Sequence, residues 1–394
     1  MNTENKLKIV MGMDEYLPDV DGVVRCMNNY CRVLSNQAEV TAIVPKNRKN
    51  YVDNFPYKVI RCRSFYVPIL RQYYGIPAND RKFKKQVYSG EYDIIHLHSP
   101  FNMGKFALKM ARAKNIPIVA TFHTNFRPIF KSIFKSKFIT EKIIKSIGRF
   151  FNKLDEIFVC SPEVEKQARS FGYTGKISYM PFGTNFEKVA DVEALAARAD
   201  EKFNTDKDEL VFLYVGRLME LKRIDYILES LKIVKDKGIK FRFYICGKGM
   251  YENKLKDLCK KLGLTDEEVV FTGFLGEEEV KLLYARSDLF LFPSLYDTFG
   301  LVKVEAAAFG TPCMLIKDSA AAFGVTDNKN GYISEDSVEQ FAHRIIEAVS
   351  DRKKLKETGE NAARDLYFNW SDCTDILMKK YKEIIDEKTK PKEV

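Results

Sequence analysis

The chain has 394 residues, of which 45% are hydrophobic and 30% charged, and its formal net charge is +10. This length predicts two domains of about 150 to 200 residues, each large enough for its own core. No run approaches the roughly 20 apolar residues of a membrane-spanning helix, and the N-terminus is too polar for a secretory signal, so we expect a cytoplasmic protein. Eight cysteines occur singly, without CxxC pairs, which favours reduced thiols over disulfides or a zinc site.

The first half of the chain repeats a simple strand–helix pattern. Helical stretches at 25–35 and 103–114 lie between short apolar runs. The runs occur at 8–14, 39–45, 57–62, 92–99, 116–123, 156–161 and 176–183. This alternation predicts a parallel sheet with helices on both faces, and its ligands are expected at the carboxyl ends of the strands.

Polar residues follow several of these strands. The first strand precedes DEYLPDVDGVV, where Asp21 and Gly22 stand before a helix. A glycine there allows a close approach between backbone and ligand, although an ordinary tight turn has the same sequence. His98 and His123 each end a strand, in HLHSP and TFHTN. Taken alone, each histidine is explained as well by a local hydrogen bond as by a catalytic role.

The segment 126–154 has a different composition, with Glu141 as its only acid. Apolar residues recur there three or four positions apart, which predicts one or two amphipathic helices. Such a surface suits an anionic membrane, although packed helices with solvated charges are the alternative. The basic residues that we assign to the membrane surface are Arg127, Lys131, Lys135, Lys142, Lys145 and Arg149. Nucleic acid is the other candidate for the positive charge, but no nucleic-acid motif supports it.

The second half restarts the strand–helix pattern after an alanine- and charge-rich stretch, 189–208, which we predict to be a linker. Its apolar runs lie at 210–216, 241–247, 269–275, 288–294 and 311–316. Arg217 and Lys222 follow the first run, and two cations there suit a diphosphate, although surface cations are common in a basic protein. Gly216 and Gly247 mark two glycine-containing strand exits.

The stretch SLYDTFGLVKVEAAAFGTP follows the fourth run. It predicts a strand-to-helix turn at Phe299, Gly300 and Leu301, with free backbone N–H groups for an anion. Asp297 and Glu305 flank this turn and are suited to accept hydrogen bonds from hydroxyls. An anion site next to two hydroxyl acceptors fits a nucleotide sugar, whereas the simplest alternative is a solvent-facing acid.

This stretch resembles the signature of the retaining glycosyltransferases of group 1, which have the GT-B fold. In that signature two glutamates separated by seven residues surround an F-G turn, and E-A-x-A-x-G-x-P follows. Glu305 and the residues after it match, whereas Asp297 replaces the first glutamate, which leaves the identity of the donor sugar open. The family motif G-R-x-x-x-x-K matches at 216–222. The phrase around Asp21 is similar to that of lipid glucosyltransferases, which points to diacylglycerol as acceptor.

The resemblance implies roles for these residues. Arg217 and Lys222 would neutralise the diphosphate of the donor without a metal or other cofactor, and Glu305 would bind the ribose. Asp297 and His123 would lie beside the sugar. Backbone groups of Phe274 and Leu275 would hold the nucleobase.

The resemblance also implies an α/β architecture of two Rossmann-like domains facing across a cleft. We place the first domain at 1–188 and the nucleotide-sugar domain at 209–367. The last segment, 368–394, is expected to be a helix that packs back onto the first domain.

The function implied is transfer of glucose from UDP-glucose to diacylglycerol at the cytoplasmic face of the membrane. One alternative is the same fold acting on a saccharide in capsule or cell-wall synthesis. Another is a basic peripheral-membrane binding protein with an inactive transferase core.

Overall fold

The computed structural model describes residues 6–19, 22–47, 51–67, 72–295, 297 and 299–390, and these fall into two units. The first unit comprises Met1–Phe182 and Trp370–Val394, and the second comprises Gly183–Asn369. The α/β architecture of both units is the one that the sequence predicts.

A parallel seven-stranded sheet forms the centre of the first unit, in the order β3-β2-β1-β6-β7-β8-β9. The strands of this unit are, in chain order, β1 (Lys8–Gly12), β2 (Glu39–Pro45), β3 (Lys58–Cys62), β4 (Ser64–Val67), β5 (Gln72–Gly75), β6 (Ile94–Leu97), β7 (Ile118–Thr121), β8 (Glu156–Val159) and β9 (Ile177–Tyr179). All seven sheet strands were predicted from their apolar runs. The antiparallel hairpin of β4 and β5 was not, because its residues form no buried run.

The helices of the first unit before the second unit begins are α1 (Gly22–Leu34), α2 (Arg81–Tyr88), α3 (Asn102–Lys114), α4 (Phe126–Phe134), α5 (Lys137–Phe151) and α6 (Pro162–Ser170). The side chain of Asp14, which follows β1, is buried and accepts hydrogen bonds from the backbone N–H groups of Phe101 and Met103 at the start of α3. The first strand is thereby joined to a helix that lies far from it in sequence.

The second unit is built on a parallel six-stranded sheet in the order β12-β11-β10-β13-β14-β15. Its strands are β10 (Leu210–Val215), β11 (Phe241–Cys246), β12 (Val269–Gly273), β13 (Leu289–Phe292), β14 (Cys313–Ile316) and β15 (Tyr332–Ser334). Its helices are α7 (Val192–Phe203), α8 (Ile224–Asp236), α9 (Glu252–Leu262), α10 (Glu277–Arg286), α11 (Leu301–Ala308), α12 (Val338–Ser350) and α13 (Arg352–Asp365). The last helix, α14 (Trp370–Thr389), returns to the first unit.

The stretch predicted to be a linker, 189–208, lies inside the second unit. It contains α7, which packs against α10 and buries Ala199. The Arg286 side chain donates to the Asp200 carboxylate at 2.5 Å, which fixes the two helices together. The alanines that resemble a linker therefore allow close helix packing, and the boundary between the units falls between Phe182 and Gly183.

The composition predicts reduced cysteines and no membrane-spanning helix. All eight cysteines lie in the described ranges, where they are buried and none forms a disulfide. No helix within the described ranges is both long enough and apolar enough to cross a membrane.

Candidate functional site

The predicted site residues of the second unit lie at the carboxyl ends of neighbouring strands. Strand β10 leads to Arg217, β11 to Gly247, β12 to Phe274 and β13 to Asp297. The chain leaves β10 toward β11 on one side and continues from β13 on the other, so β10 and β13 meet at the switch point of the sheet. Ligands of open α/β sheets bind outside the carboxyl ends of the strands at such a point.

Two glycines form the backbone floor at this edge. The N–H of Gly216 donates to the carbonyl of Cys246 at 2.9 Å, and the N–H of Gly247 donates to the carbonyl of Gly273 at 2.8 Å. Gly247 has a φ of +147°, and a Cβ atom added there would lie 1.9 Å from the carbonyl oxygen of Gly216. A side chain at position 247 would therefore push adjacent strand exits apart, which explains the glycine physically.

Lys222 and Asp297 meet directly across the switch point. The Lys222 Nζ atom donates to both carboxylate oxygens of Asp297, at 2.6 and 2.7 Å, and the side chains are 26% and 21% exposed. Sequence reasoning assigned the lysine to the diphosphate and the acid to the sugar, without predicting this contact. A diphosphate that approached Lys222 would have to compete with the Asp297 carboxylate for the lysine ammonium, or share it.

Arg217 differs from Lys222 because its side chain is exposed, and no acid of the described residues forms an ion pair with it. Its backbone carbonyl accepts a hydrogen bond from the hydroxyl of Tyr214 at 3.2 Å. The backbone of Arg217 is thus fixed at the strand exit, while its side chain is exposed to solvent. That is the state expected of a group that binds an external anion.

The turn before α11 has the conformation that the sequence predicts. Gly300 has a φ of +69°, in the left-handed region, and it immediately precedes the first helical residue, Leu301. Phe299 and Gly300 are buried, and Leu301 is half-buried. A Cβ atom at Gly300 would lie 3.0 Å from the Cβ of Ala321, so the turn also packs closely against the segment after β14.

Lys303 is a structural residue of this turn that sequence reasoning missed. Its side chain is only 2% exposed, and its Nζ atom donates to the carbonyls of Ala321 and Phe323 at 2.7 and 2.6 Å. The ammonium also lies 5.2 Å from the ring centroid of Phe299. Lys303 therefore ties the turn to the segment after β14, and its signal in the sequence is a lysine between two valines in a largely apolar stretch.

Tyr284 is the second residue that was missed, and it holds Glu305. Its hydroxyl donates to the Oε2 atom of Glu305 at 2.9 Å, and its ring stacks on Phe309 with centroids 5.8 Å apart. Burial and the adjacent carboxylate raise the pKa of Tyr284 well above its usual value, so the phenol stays protonated and donates. Glu305 is half-buried, and the hydrogen bond from Tyr284 orients its carboxylate.

The residues assigned to the nucleobase follow β12. The side chain of Phe274 is 74% exposed, whereas Leu275 packs against the core of the second unit. This placement leaves the backbone at 274–275 at the same sheet edge as the other donor-site residues. Its contact with a nucleobase stays a prediction.

In the first unit, Gly22 is the first residue of α1 and is exposed. A Cβ atom there would meet nothing within 4 Å, so space does not require a glycine at this position. Asp21 lies outside the described residues. The proposed contact of this phrase with the acceptor stays a prediction.

Three histidines form a row in the first unit, in which His96 and His98 are buried and His123 is half-buried. The rings of His96, His98 and His123 stack with successive centroid separations of 4.5 and 5.0 Å, and His98 Nδ1 lies 2.8 Å from His123 Nε2. Burial lowers the pKa of both His96 and His123 to about 3 and that of His98 well below its usual value. Neutral rings at physiological pH suit positioning by hydrogen bonds rather than proton donation.

Cys26 lies beside this row. The atoms through which Cys26, His98 and His123 would bind a metal ion all lie within 4.8 Å of one another. The Nε2 atom of His98 is buried and has no hydrogen-bond partner among the described residues. The two histidines are already bonded to each other, and the expectation of a metal-independent reaction stays a prediction.

The basic segment 126–154 forms two helices, α4 and α5. Apolar side chains are exposed on α4 and at the start of α5. No side chain of α4 is buried, and the side chains of Phe134 and Phe138 are 43% and 79% exposed. By contrast, Ile144 and Ile147 on α5 are buried inside the first unit. Two helices form, as predicted, but the apolar residues of α5 pack inward, which for this helix matches the alternative of packed helices with solvated charges.

The cations of this segment are divided in a similar way. Arg127 donates to the Glu141 carboxylate at 2.8 Å and to the Ser170 carbonyl at 3.2 Å, so its charge is used within the fold. The others predicted to face the membrane are exposed: Lys131, Lys135, Lys142, Lys145 and Arg149. The last three of these line a surface pocket together with Phe171 and Gly172.

The chain is similar to known glycosyltransferases along most of its length. The family described as "Glycosyl transferases group 1" matches residues 196–365, and the family described as "Glycosyltransferase Family 4" matches residues 20–188. An alpha-monoglucosyldiacylglycerol synthase of Acholeplasma laidlawii is 26% identical over 86% of this chain and 87% of its own length. A protein of the same name from Streptococcus pneumoniae is 27% identical over 78% of this chain and 70% of its own length.

Solved structures show the same fold at lower identity. The sucrose-phosphate synthase of Thermosynechococcus elongatus superposes with a TM-score of 0.75 at 20% identity, over 96% of this chain and all of that chain. The Anabaena protein HepE, solved in complex with UDP, superposes with a TM-score of 0.76 at 15% identity over the same shares of both chains. These likenesses show the GT-B fold that the sequence predicts.

Proposed function

This chain belongs to the group 1 glycosyltransferases and has their GT-B fold, and on that premise we propose that it moves glucose from UDP-glucose to diacylglycerol at an anionic membrane surface. The observation that carries the donor half of this proposal is the cluster of Arg217, Lys222, Asp297 and Glu305 at the carboxyl edge of one sheet. The names of the relatives from Acholeplasma laidlawii and Streptococcus pneumoniae support diacylglycerol as acceptor.

The donor would bind across the switch point of the second unit. Arg217 offers a two-pronged donor to the diphosphate, and Lys222 offers a point charge once a phosphate oxygen displaces part of its contact with Asp297. Glu305, oriented by Tyr284, accepts from the ribose hydroxyls. The two cations supply the positive charge that a divalent metal would otherwise provide.

Group transfer would proceed with retention of configuration. The bond between the anomeric carbon and the diphosphate oxygen breaks, and the acceptor hydroxyl forms its new bond on the same face of an oxocarbenium-like sugar. The acceptor proton passes to the leaving phosphate oxygen. Arg217, Lys222 and the amides after Gly300 stabilise the charge that grows on that leaving group.

The acceptor half of the proposal rests on the basic helices of the first unit. At about 1 kcal/mol per basic residue near an anionic surface, the five exposed cations of α4 and α5 and their junction are enough for reversible attachment. Attachment of this kind would place the protein on the cytoplasmic face of the membrane. The exposed rings of Phe134 and Phe138 add an apolar contribution.

The decisive experiment offers the purified protein UDP-glucose and anionic vesicles that contain diacylglycerol. UDP release and labelled glucose in the organic phase are followed together. We expect both signals, and we expect kcat/KM to fall about 100-fold or more in Arg217→Ala and Glu305→Ala. EDTA should leave the rate unchanged.

Glu335→Ala is the matched control, because this exposed acid of the same unit forms an ion pair with Lys317 outside the site. It should keep the wild-type rate, since such surface pairs contribute little to stability. UDP release without labelled lipid would contradict the lipid acceptor and favour a saccharide. UDP binding that survives Glu305→Ala without any transfer would favour the inactive binding protein.

A further inference from the structure

A continuous row of aromatic rings joins the β4–β5 hairpin to α4 in the first unit. Starting at the hairpin, successive ring centroids lie 6.4, 6.1, 5.3, 5.9 and 6.1 Å apart. We call this row the aromatic ridge, and its members are Phe65, Tyr74, Phe101, Phe126, Phe130 and Phe134. Phe101, which precedes α3, bridges the two elements because it contacts both the hairpin and α4.

Both ends of the aromatic ridge are open to solvent. Phe65 and its neighbour Tyr66 are 51% and 49% exposed, and Phe134 is 43% exposed at the other end. Ile129 and Phe138 enlarge the surface at the α4 end, with exposures of 45% and 79%. Exposed apolar side chains thus stand at both ends of the aromatic ridge, and exposed apolar groups of this size mark a surface that binds a partner.

The base of the β4–β5 hairpin is tied to neighbouring elements of the first unit. Asn102 at the start of α3 donates through its side-chain amide to the Gly75 carbonyl at 3.0 Å, and the N–H of Ile76 donates to the Arg63 carbonyl at 2.8 Å. A Cβ atom at Gly75 would lie 3.0 Å from the sulfur of Cys62, so the hairpin base packs tightly on β3. The base of the hairpin is therefore anchored to α3 and β3.

The charges around the aromatic ridge identify the kind of partner. Exposed cations stand at both ends, with Arg63 next to the hairpin and Lys131, Lys135 and Lys137 around α4. The one acid of the segment 126–154, Glu141, is already paired with Arg127. A partner that is both apolar and anionic fits this combination, and an anionic bilayer is such a partner.

We propose that the β4–β5 hairpin enters the interface of an anionic bilayer together with α4, so that attachment uses two elements joined through Phe101. Tyr66 would lie at the depth where amphipathic rings are favoured, the apolar ring of Phe65 would leave water, and the cations would remain with the lipid headgroups. This inference rests on the membrane surface of the proposed function but not on its reaction.

The first test places a fluorescent reporter on the hairpin. The chain has one tryptophan, Trp370, which is 4% exposed and gives a constant background. In Phe65→Trp, vesicles of equal parts phosphatidylglycerol and phosphatidylcholine should shift the emission to the blue, and brominated lipid should quench it. Val52→Trp is the matched control, because Val52 is 81% exposed on the same unit but outside the aromatic ridge, and its emission should not change.

The second test measures binding to the same vesicles by sedimentation. The partition coefficient of Phe65→Ser/Tyr66→Ser should fall about ten-fold, since two half-exposed rings no longer leave water on binding. Val52→Ser should bind as the wild type does. Circular dichroism melts of all variants establish that they are folded.

The outcomes separate this inference from the proposed function. Binding that depends on the hairpin, in a protein that makes no glycolipid, would support the inference and refute the acceptor. Glycolipid synthesis with unchanged Phe65→Trp emission, and with unchanged partition of the double variant, would refute the inference and leave the reaction standing. Unchanged partition of the double variant beside weakened partition of Phe138→Ser would confine attachment to the helices.

Discussion

The hydrogen bond between Tyr284 and Glu305 gives the sharpest prediction, because removing one oxygen atom tests whether the acid must be oriented. In Tyr284→Phe the ring remains in its place against Phe309, so packing is kept and only the hydroxyl is lost. The carboxylate then loses a donor that lies 2.9 Å away.

The size of the effect follows from the geometry. A hydrogen bond to a charged group contributes about 1.5–3 kcal/mol, and the lower end applies here because Glu305 is half-buried and makes other contacts. About 1.4 kcal/mol corresponds to a ten-fold weaker Kd for the donor. The turnover number should change less, because Tyr284 touches no reacting atom in the proposed reaction.

The assay is calorimetric titration with UDP-glucose, combined with urea unfolding. Tyr332→Phe is the control, since Tyr332 is also a fully buried tyrosine of the second unit and bonds to the hydroxyl of Thr358 at 3.3 Å. Both variants should lose about 1 kcal/mol of unfolding free energy, but only Tyr284→Phe should lose donor affinity. Equal Kd values for the two variants would refute the assignment of Glu305 to the donor, or its orientation by Tyr284.

Three further predictions concern the ion pair, the strand exit and the histidine row. Asp297→Asn should bind UDP about three-fold to ten-fold more tightly, because Lys222 no longer has a competing carboxylate, and it should transfer sugar more slowly. Calorimetry measures the affinity for UDP and initial rates measure the transfer. Weaker UDP binding by the variant would contradict the competition. Gly247→Ala should lower the unfolding free energy by roughly 3 kcal/mol or more in a urea titration, because the new Cβ meets the Gly216 carbonyl. The control Gly263→Ala should cost about 1 kcal/mol, because Gly263 has a φ of +67° but open space around it. Equal costs for the two variants would refute the steric reason. Burial lowers the pKa of His96 to about 3 in the folded chain, which is below its unfolded value. The stability that the neutral ring provides is therefore complete above about pH 6.5 and is lost as the pH falls, by about 1.4 kcal/mol per pH unit. Urea midpoints that do not decrease between about pH 7 and pH 5 would contradict this.

Much of the fold is written in local sequence. Each strand of the two parallel sheets except β15 coincides with an apolar run, because a strand covered on both faces needs apolar residues at every position. The cap of α6 is also a local pattern, since the Ser161 side chain accepts from the N–H of Val164, and Pro162 follows it. The resemblance to glycosyltransferases, and the residues proposed to bind the donor, were identified from short motifs at 216–222 and 294–312. Each motif lies within one local stretch of the chain.

Other features required the tertiary structure because they depend on residues far apart in sequence. The contact of Lys222 with Asp297 spans 75 positions, and that of Tyr284 with Glu305 spans 21, so no local pattern encodes them. The inward packing of α5 was also hidden, since an amphipathic pattern gives the period of an apolar face but not what covers it.

The aromatic ridge shows the same division most clearly. The sequence determined that Phe65 and Phe134 are apolar and lie among cations, but not that Phe101 would bring their two elements together. Local sequence thus determined the elements, the family resemblance and the chemical character of the proposed donor site. The tertiary structure decided which charges neutralise each other and which apolar faces remain exposed, because both depend on the neighbours that folding brings into contact.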